Sequence, residues 1–155
     1  VSKLVAAGTT IMDTHNPLLD SILSKKYEEA AQKGVTVYFD LCDLKEIPFD
    51  GMDMVIVLSN LLDNAIRAAA QALPPEVHVR IRKTPEEYLL SVRNRVQDDL
   101  DLEGNKLPGT TKKERGHGMG FANVQEVLRK YGAEYTVSCR DRWFRFTCAI
   151  PVCNS

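Results

Sequence analysis

The sequence predicts an α/β fold: a two-layer sandwich in which a mixed sheet is covered on one face by helices. Two observations predict it. Hydrophobic periodicity along the chain runs helix, strand, helix, two strands, a long irregular segment, helix and a closing strand pair. The strands also alternate apolar and polar residues, so each offers one face to a core and one to water. A chain of 155 residues suffices for one domain with a sizeable core. Its 44% hydrophobic and 26% charged residues are ordinary for a globular protein, and a net charge of −1 advertises neither nucleic acid nor an anionic membrane.

The elements follow in order. Asn16-Pro17 reads as an N-cap with proline in the first helical position, and Leu18, Leu19, Ile22, Leu23, Tyr27, Ala30 and Ala31 recur at helical spacing until Gly34 stops them. His15, just outside that helix, is read as a bystander in a turn. Val35–Asp40 is a strand by its β-branched and aromatic content. A connection closed by Pro48 leads to Asp50, the expected N-cap of a central helix that carries Leu58–Ala70. Pro74-Pro75 breaks the chain. Val77, Val79 and Ile81 then alternate with His78, Arg80 and Arg82. After a turn at Thr84–Glu87, Tyr88, Leu90, Val92 and Asn94 share the core-facing side of the next strand.

Gln97–Arg115 has no sustained period, with an acidic first half and a basic second half; segments this long usually act as lids or stay disordered. Phe121, Val124, Val127, Leu128 and Tyr131 form a last amphipathic helix ended by Gly132, and a hairpin turning at Arg140-Asp141-Arg142 closes the chain. The four cysteines are not in CxxC spacing, so a zinc site is not expected; Cys139 and Cys148 read as small core residues in a reduced, cytoplasmic chain. No apolar run reaches the roughly 20 residues of a membrane-spanning helix, and VSKLVAAGTT is too mixed for a secretory signal.

Three places draw attention for chemistry. In LSNLLDNAIRAAA, the residues Asn60, Asp63, Asn64 and Arg67 lie three and four apart along one edge of an otherwise apolar helix. On its own this row is equally an ordinary polar edge. Asn94 points coreward at a strand end, as a cap of the strand or as a ligand-binding group. GHGMG, residues 116–120, immediately precedes helical spacing; glycines there let backbone N–H groups approach an anion. It lacks the Lys-Ser/Thr ending of a P-loop, and the residues before it form no strand.

The conjunction, in this order, resembles the GHKL (Bergerat) ATP-binding domain of gyrase-type topoisomerases, heat-shock chaperones, mismatch-repair ATPases and sensor histidine kinases. LSNLLDNAIRA resembles its N box, and GHGMGFANV its second glycine box. The resemblance runs from Asn16 to Val152. It is greatest for the catalytic domains of peptide-pheromone quorum-sensing histidine kinases, through NPLLDSILSKK, SVRN and TTKKERGHGMG.

The resemblance implies roles residue by residue. Asn64 would hold the Mg²⁺ that bridges the ATP phosphates, a hard ion for which one amide oxygen completed by phosphate and water suffices. Asn60 stands where hydrolytic members carry a glutamate base, so phosphoryl transfer rather than fast hydrolysis is implied. Arg67 would stabilise β/γ-phosphate charge. Gly116, Gly118 and Gly120 would let the backbone follow the triphosphate, with Lys112 reaching in from the lid and His117 at the pocket rim.

Asn94-Arg95-Val96 replaces the usual DxGxG, leaving an uncharged acceptor for adenine and an arginine expected to crowd the pocket. Weak nucleotide binding follows, of roughly micromolar to millimolar strength.

The implied protein is a two-component, bacterial sensor histidine kinase. Residues 1–15 are expected to be a residual linker from a missing upstream dimerisation region, and 16–155 the catalytic domain. Its partners would be ATP, the histidine-bearing dimerisation helix of the parent kinase and a response regulator, with no nucleic acid. Its setting would be the cytoplasmic side of a membrane-anchored sensor, touching the membrane only through the missing N-terminal part. Two alternatives are a degenerate GHKL interaction module that has lost nucleotide, and an anti-sigma-type serine kinase, against which Asn60 argues.

Overall fold

The computed structural model describes residues 3–4, 13–99 and 115–152, the side chains of 3–4 and 115–119 excepted. Its elements are β1 (Lys3–Leu4), α1 (Pro17–Gln32), β2 (Thr36–Leu41), α2 (Gly51–Ala69), β3 (Glu76–Lys83), β4 (Glu87–Arg95), α3 (Arg115–Lys130), β5 (Glu134–Arg140) and β6 (Trp143–Pro151). The strands form one sheet in the order β1-β2-β3-β4-β6-β5. β2 and β3 are parallel, joined by the crossover through α2, and the other pairs are antiparallel. The sheet is therefore mixed, as the sequence predicts. Lys3–Leu4, within the stretch read as linker, pairs with Asp40 and Phe39 at the sheet edge.

Local chemistry accounts for the ends. Asn16 Oδ1 accepts from Leu19 N at 3.2 Å ahead of Pro17, and Asp50 Oδ2 accepts from Met52 N at 3.2 Å. Gly34 and Gly132, at φ 76° and 65°, end α1 and α3 in the left-handed region that an L side chain resists. Between β5 and β6 the turn narrows to Asp141 and Arg142, both at positive φ, a two-residue connection whose twist suits the flanking strands.

The core lies between the helices and one face of the sheet. Val77, Val79 and Ile81 of β3, Tyr88, Leu90 and Val92 of β4, and Phe144, Phe146, Cys148 and Ile150 of β6 are buried there. Burial pushes the Cys148 thiol up to about 12, so it is a packing group. From α2 come Met54, Val57, Leu58, Leu61, Leu62, Ala65, Ile66 and Ala69, the whole apolar stripe read from the sequence. Each large aliphatic side chain so buried contributes about 1.5–3 kcal/mol.

α1 differs from its expected stripe. Its buried residues are Leu19, Leu23, Lys26 and Ala30, while Leu18 remains 45% exposed and Ala31 is exposed. Leu18 instead lies over the start of α2, where a Cβ on Gly51 would come within 2.7 Å of its Cδ2.

Candidate functional site

α2 is the middle helix of the layer, with α1 on one side and α3 on the other. Its contact with α3 is fixed at two places. At the far end, the Tyr131 hydroxyl donates to Asp53 Oδ2 (2.6 Å) and accepts from Asp50 N (2.9 Å), while Lys130 Nζ pairs with the same carboxylate oxygen (2.8 Å). Phe49 stacks on the Tyr131 ring at 4.2 Å. These bonds join the first turn of α2 to the last residues of α3, so the two helices run antiparallel.

At the other end, α3 meets the amide row. A Cβ built on Gly120 would lie 3.1 Å from Asn60 Oδ1 and 3.6 Å from Asn64 Nδ2. A methyl group here would be tight against the Asn60 side chain, and a larger side chain would hold the helix off. The glycine motif and the asparagine helix, fifty residues apart in the chain, thus face each other. One detail departs from expectation: Gly116–Gly120 is not a loop ahead of the helix but the beginning of α3, which starts at Arg115. The side chain of His117, and Lys112 altogether, lie outside the described residues.

The amide row is ordered from within. Asn60 Nδ2 donates to Ile56 O (2.8 Å) and Asn64 Nδ2 to Asn60 O (2.9 Å), each back-bonding one turn. Tying each amide nitrogen to the helix leaves the amide oxygen directed away from it. Asn64 Oδ1 accepts from Arg67 Nη1 at 2.8 Å, so Arg67 sits on the polar edge as the spacing requires. Asp63 leaves the row: its carboxylate receives Lys26 Nζ from α1 at 2.7 Å, with Glu29 as the second partner at 3.0 Å. Burial alone lowers the Lys26 pKa, but these two hydrogen bonds outweigh it and hold the ammonium charged.

Asn94 is 2% exposed on the helix-facing side of β4, and its Nδ2 donates to Arg95 O at 2.9 Å. Arg95 does not crowd that side. Adjacent residues of a pleated strand point to opposite faces, so its guanidinium lies on the outer face, 4.4 Å over the Trp143 ring, with Nη1 on Asp141 O at 3.2 Å. The structure therefore brings Asn60, Asn64, Arg67 and Gly120 together and keeps the Arg95 guanidinium on the opposite face from Asn94.

Sequence reasoning missed Lys26, Asp53 and Tyr131 as site-building residues. Lys26 carried a signal, since it occupies a position on the Leu19–Leu23–Ala30 stripe where a charge needs a partner.

The GHKL domain profile matches residues 49–151. The chain belongs to the GHKL family. This GHKL chain is similar in structure to the nucleotide-free catalytic domain of histidine kinase ThkA, with a TM-score of 0.73 at 19% identity over 90% of this chain and 93% of that one. A second crystal form of the same domain gives 0.71 at 17% identity, over 97% and 96% of the two chains. Histidine kinase AdeS of Acinetobacter baumannii gives 0.66 at 18% identity, over 90% of this chain and 66% of AdeS. At such identities the likeness is one of fold. No curated protein matches the sequence.

Proposed function

We propose that this GHKL domain is the ATP-binding catalytic part of a bacterial two-component sensor histidine kinase of the peptide-pheromone quorum-sensing subgroup. It would present MgATP to a histidine on the dimerisation helix of the parent kinase. A response regulator then takes the phosphoryl group onward, on the cytoplasmic side of a membrane-anchored sensor. The observation that carries this reading is the seating of Gly120 against Asn60 and Asn64, which puts the glycine-led helix start beside the amide row.

The residues present suit a nucleotide-borne metal. Asn64 offers a neutral oxygen whose direction is set by its anchored nitrogen, and Oδ1 keeps a second lone pair beside the Arg67 bond. Magnesium held by Asn64 would neutralise negative charge on the nucleotide's phosphates. Arg67, exposed at the rim, would turn from Asn64 to the β/γ-phosphates and add a fork of donors. Asn60 has no carboxylate with which to take a proton from water, so transfer to an external nucleophile is favoured over hydrolysis. Asn94 would accept from the adenine amino group.

Calorimetry with a non-hydrolysable ATP analogue and Mg²⁺ tests the site. Binding is expected in the wild type and lost in Asn64→Ala combined with Gly118→Val; undiminished binding in that variant overturns the reading. A radiolabel transfer assay with an added histidine-bearing helix then tests the kinase step. Label appearing on serine instead would overturn that assignment.

A further inference from the structure

The sheet face turned away from the helices carries Arg80 and Arg82 of β3, Arg93 and Arg95 of β4, and Arg145 of β6. Among the described residues no helix packs on it. Among the described residues only part of this charge is matched. Asp40 receives Arg82 Nη2 at 2.8 Å and Arg80 Nε at 3.3 Å. Arg93 and Arg145 stand directly opposite each other on neighbouring strands, an arrangement that costs stability, and neither forms an ion pair among the described residues. Among the described residues the buried Arg95 Nε has no hydrogen-bond partner. Burial, and then the guanidiniums of Arg145, Arg80 and Arg95, push the Arg93 pKa down despite Glu76. The ion pairs to Asp40 and the packing on Trp143 leave the charge of Arg93 and Arg145 uncompensated among the described residues, and a charge brought from outside would relieve it.

The shape is a shallow concavity of about 790 Å³ lined by Tyr38, Asp40, Arg80, Arg82, Arg93 and Arg145, with the hydroxyls of Ser91 and Thr147 beside them. A flat bilayer does not enter a hollow. Nucleic-acid bases would need free rings, but Trp143 lies under Arg93 and Arg95 at 4.5 and 4.4 Å, and Tyr38 is stacked on His78 at 4.7 Å. Carboxylates match guanidinium forks in plane and in pairs, and an extended peptide fits an open trough on a sheet.

We propose that the concavity around Arg93 and Arg145 docks an Asp/Glu-rich segment of a partner protein, on the face of the sheet opposite the asparagine helix. The docking does not depend on the nucleotide reading, because the two sites are separated by the sheet itself.

Fluorescence anisotropy with a labelled oligoglutamate peptide tests it, first at low ionic strength and then at physiological ionic strength. The wild type is expected to bind, and Arg93→Gln/Arg145→Gln to bind about tenfold more weakly or not at all. Lys33→Gln/Arg129→Gln removes the same charge from exposed positions at the C-terminal ends of α1 and α3 and should bind like the wild type. If Arg93→Gln disturbs folding, judged by melting temperature, Arg145→Gln alone carries the test, since its side chain is exposed. Equal weakening by the helical control overturns the proposal. So does tighter binding of single-stranded DNA, or of phosphatidylserine vesicles, through the same two arginines.

Discussion

The hydroxyl of Tyr131 donates to Asp53 Oδ2 at 2.6 Å, tying the residue just beyond α3 to the first turn of α2 across 78 positions of sequence. Lys130 shares that oxygen, and the two bonds, Lys130 first, hold the Asp53 carboxyl below the usual carboxylate range. A depressed carboxylate contributes stability above its unfolded pKa and loses it as pH falls through the folded one. The Lys130 and Tyr131 pKa values are raised, so their contributions are present at neutral pH and are lost as pH climbs through those values. Thermal melts followed by circular dichroism should show wild-type stability dropping below about pH 4 and again above about pH 10. Asp53→Asn should melt lower at pH 7, with a flatter profile on the acid side. Identical acid profiles would remove Asp53 from this role.

Gly120 sets two effects against each other. Alanine gains up to about 1 kcal/mol of helix propensity, while its Cβ at 3.1 Å must displace an Asn60 amide held on Ile56 O. Gly120→Ala should therefore change melting temperature little, whereas Gly120→Val should push α3 off the amide row. Calorimetry should show the Val variant binding an ATP analogue at least about tenfold more weakly, about 1.4 kcal/mol. Wild-type affinity in Gly120→Val would count against the contact being part of the site.

Replacing Asn94 by the aspartate of the usual DxGxG pattern should not simply help. The Asn94 nitrogen donates to Arg95 O, and Asn94→Asp would set a carboxylate oxygen against that carbonyl in a 2% exposed position. A loss of about 1–3 kcal/mol in urea unfolding is expected without ligand. Nucleotide should protect the variant more than the wild type, provided the aspartate meets adenine.

Lys26 joins α1 to α2 through Asp63 while its own side chain is nearly buried. Because Asp63 and Glu29 are 44% and 38% exposed, water covers them when the ammonium is gone. Lys26→Met should cost about 1 kcal/mol in chemical denaturation. Lys26→Ala should cost more, through the packing of the lost stem. Equal effects of the two would mean that packing plays no part.

What was legible in the sequence was local. The Asn16 and Asp50 caps, the glycine stops and the two-residue alternation of β3 and β4 each depend on neighbours within a turn or a pleat, so residue order suffices to read them. The outward turn of Arg95 was legible too, from the pleat alone; reading the segment against the DxGxG pattern hid it. The pairings of Lys26 with Asp63 and of Asp53 with Tyr131 span 37 and 78 positions. No periodicity records which helix lies beside which. The early start of α3 was hidden because glycine is a poor helix former, and there tertiary contact with α2 decides.

The seam between α2 and α3 is built of different materials at its two ends: hydrogen bonds and a stacked ring at Tyr131, bare backbone against amide at Gly120. Over the roughly 16 Å between those residues at helical rise, a tilt of about four degrees moves the glycine end by about 1 Å. The polar cluster thus acts as a fulcrum, and the glycine end is the tip of a lever. Small rotations that leave every bond at Tyr131 intact are enough to widen or narrow the gap beside Asn60.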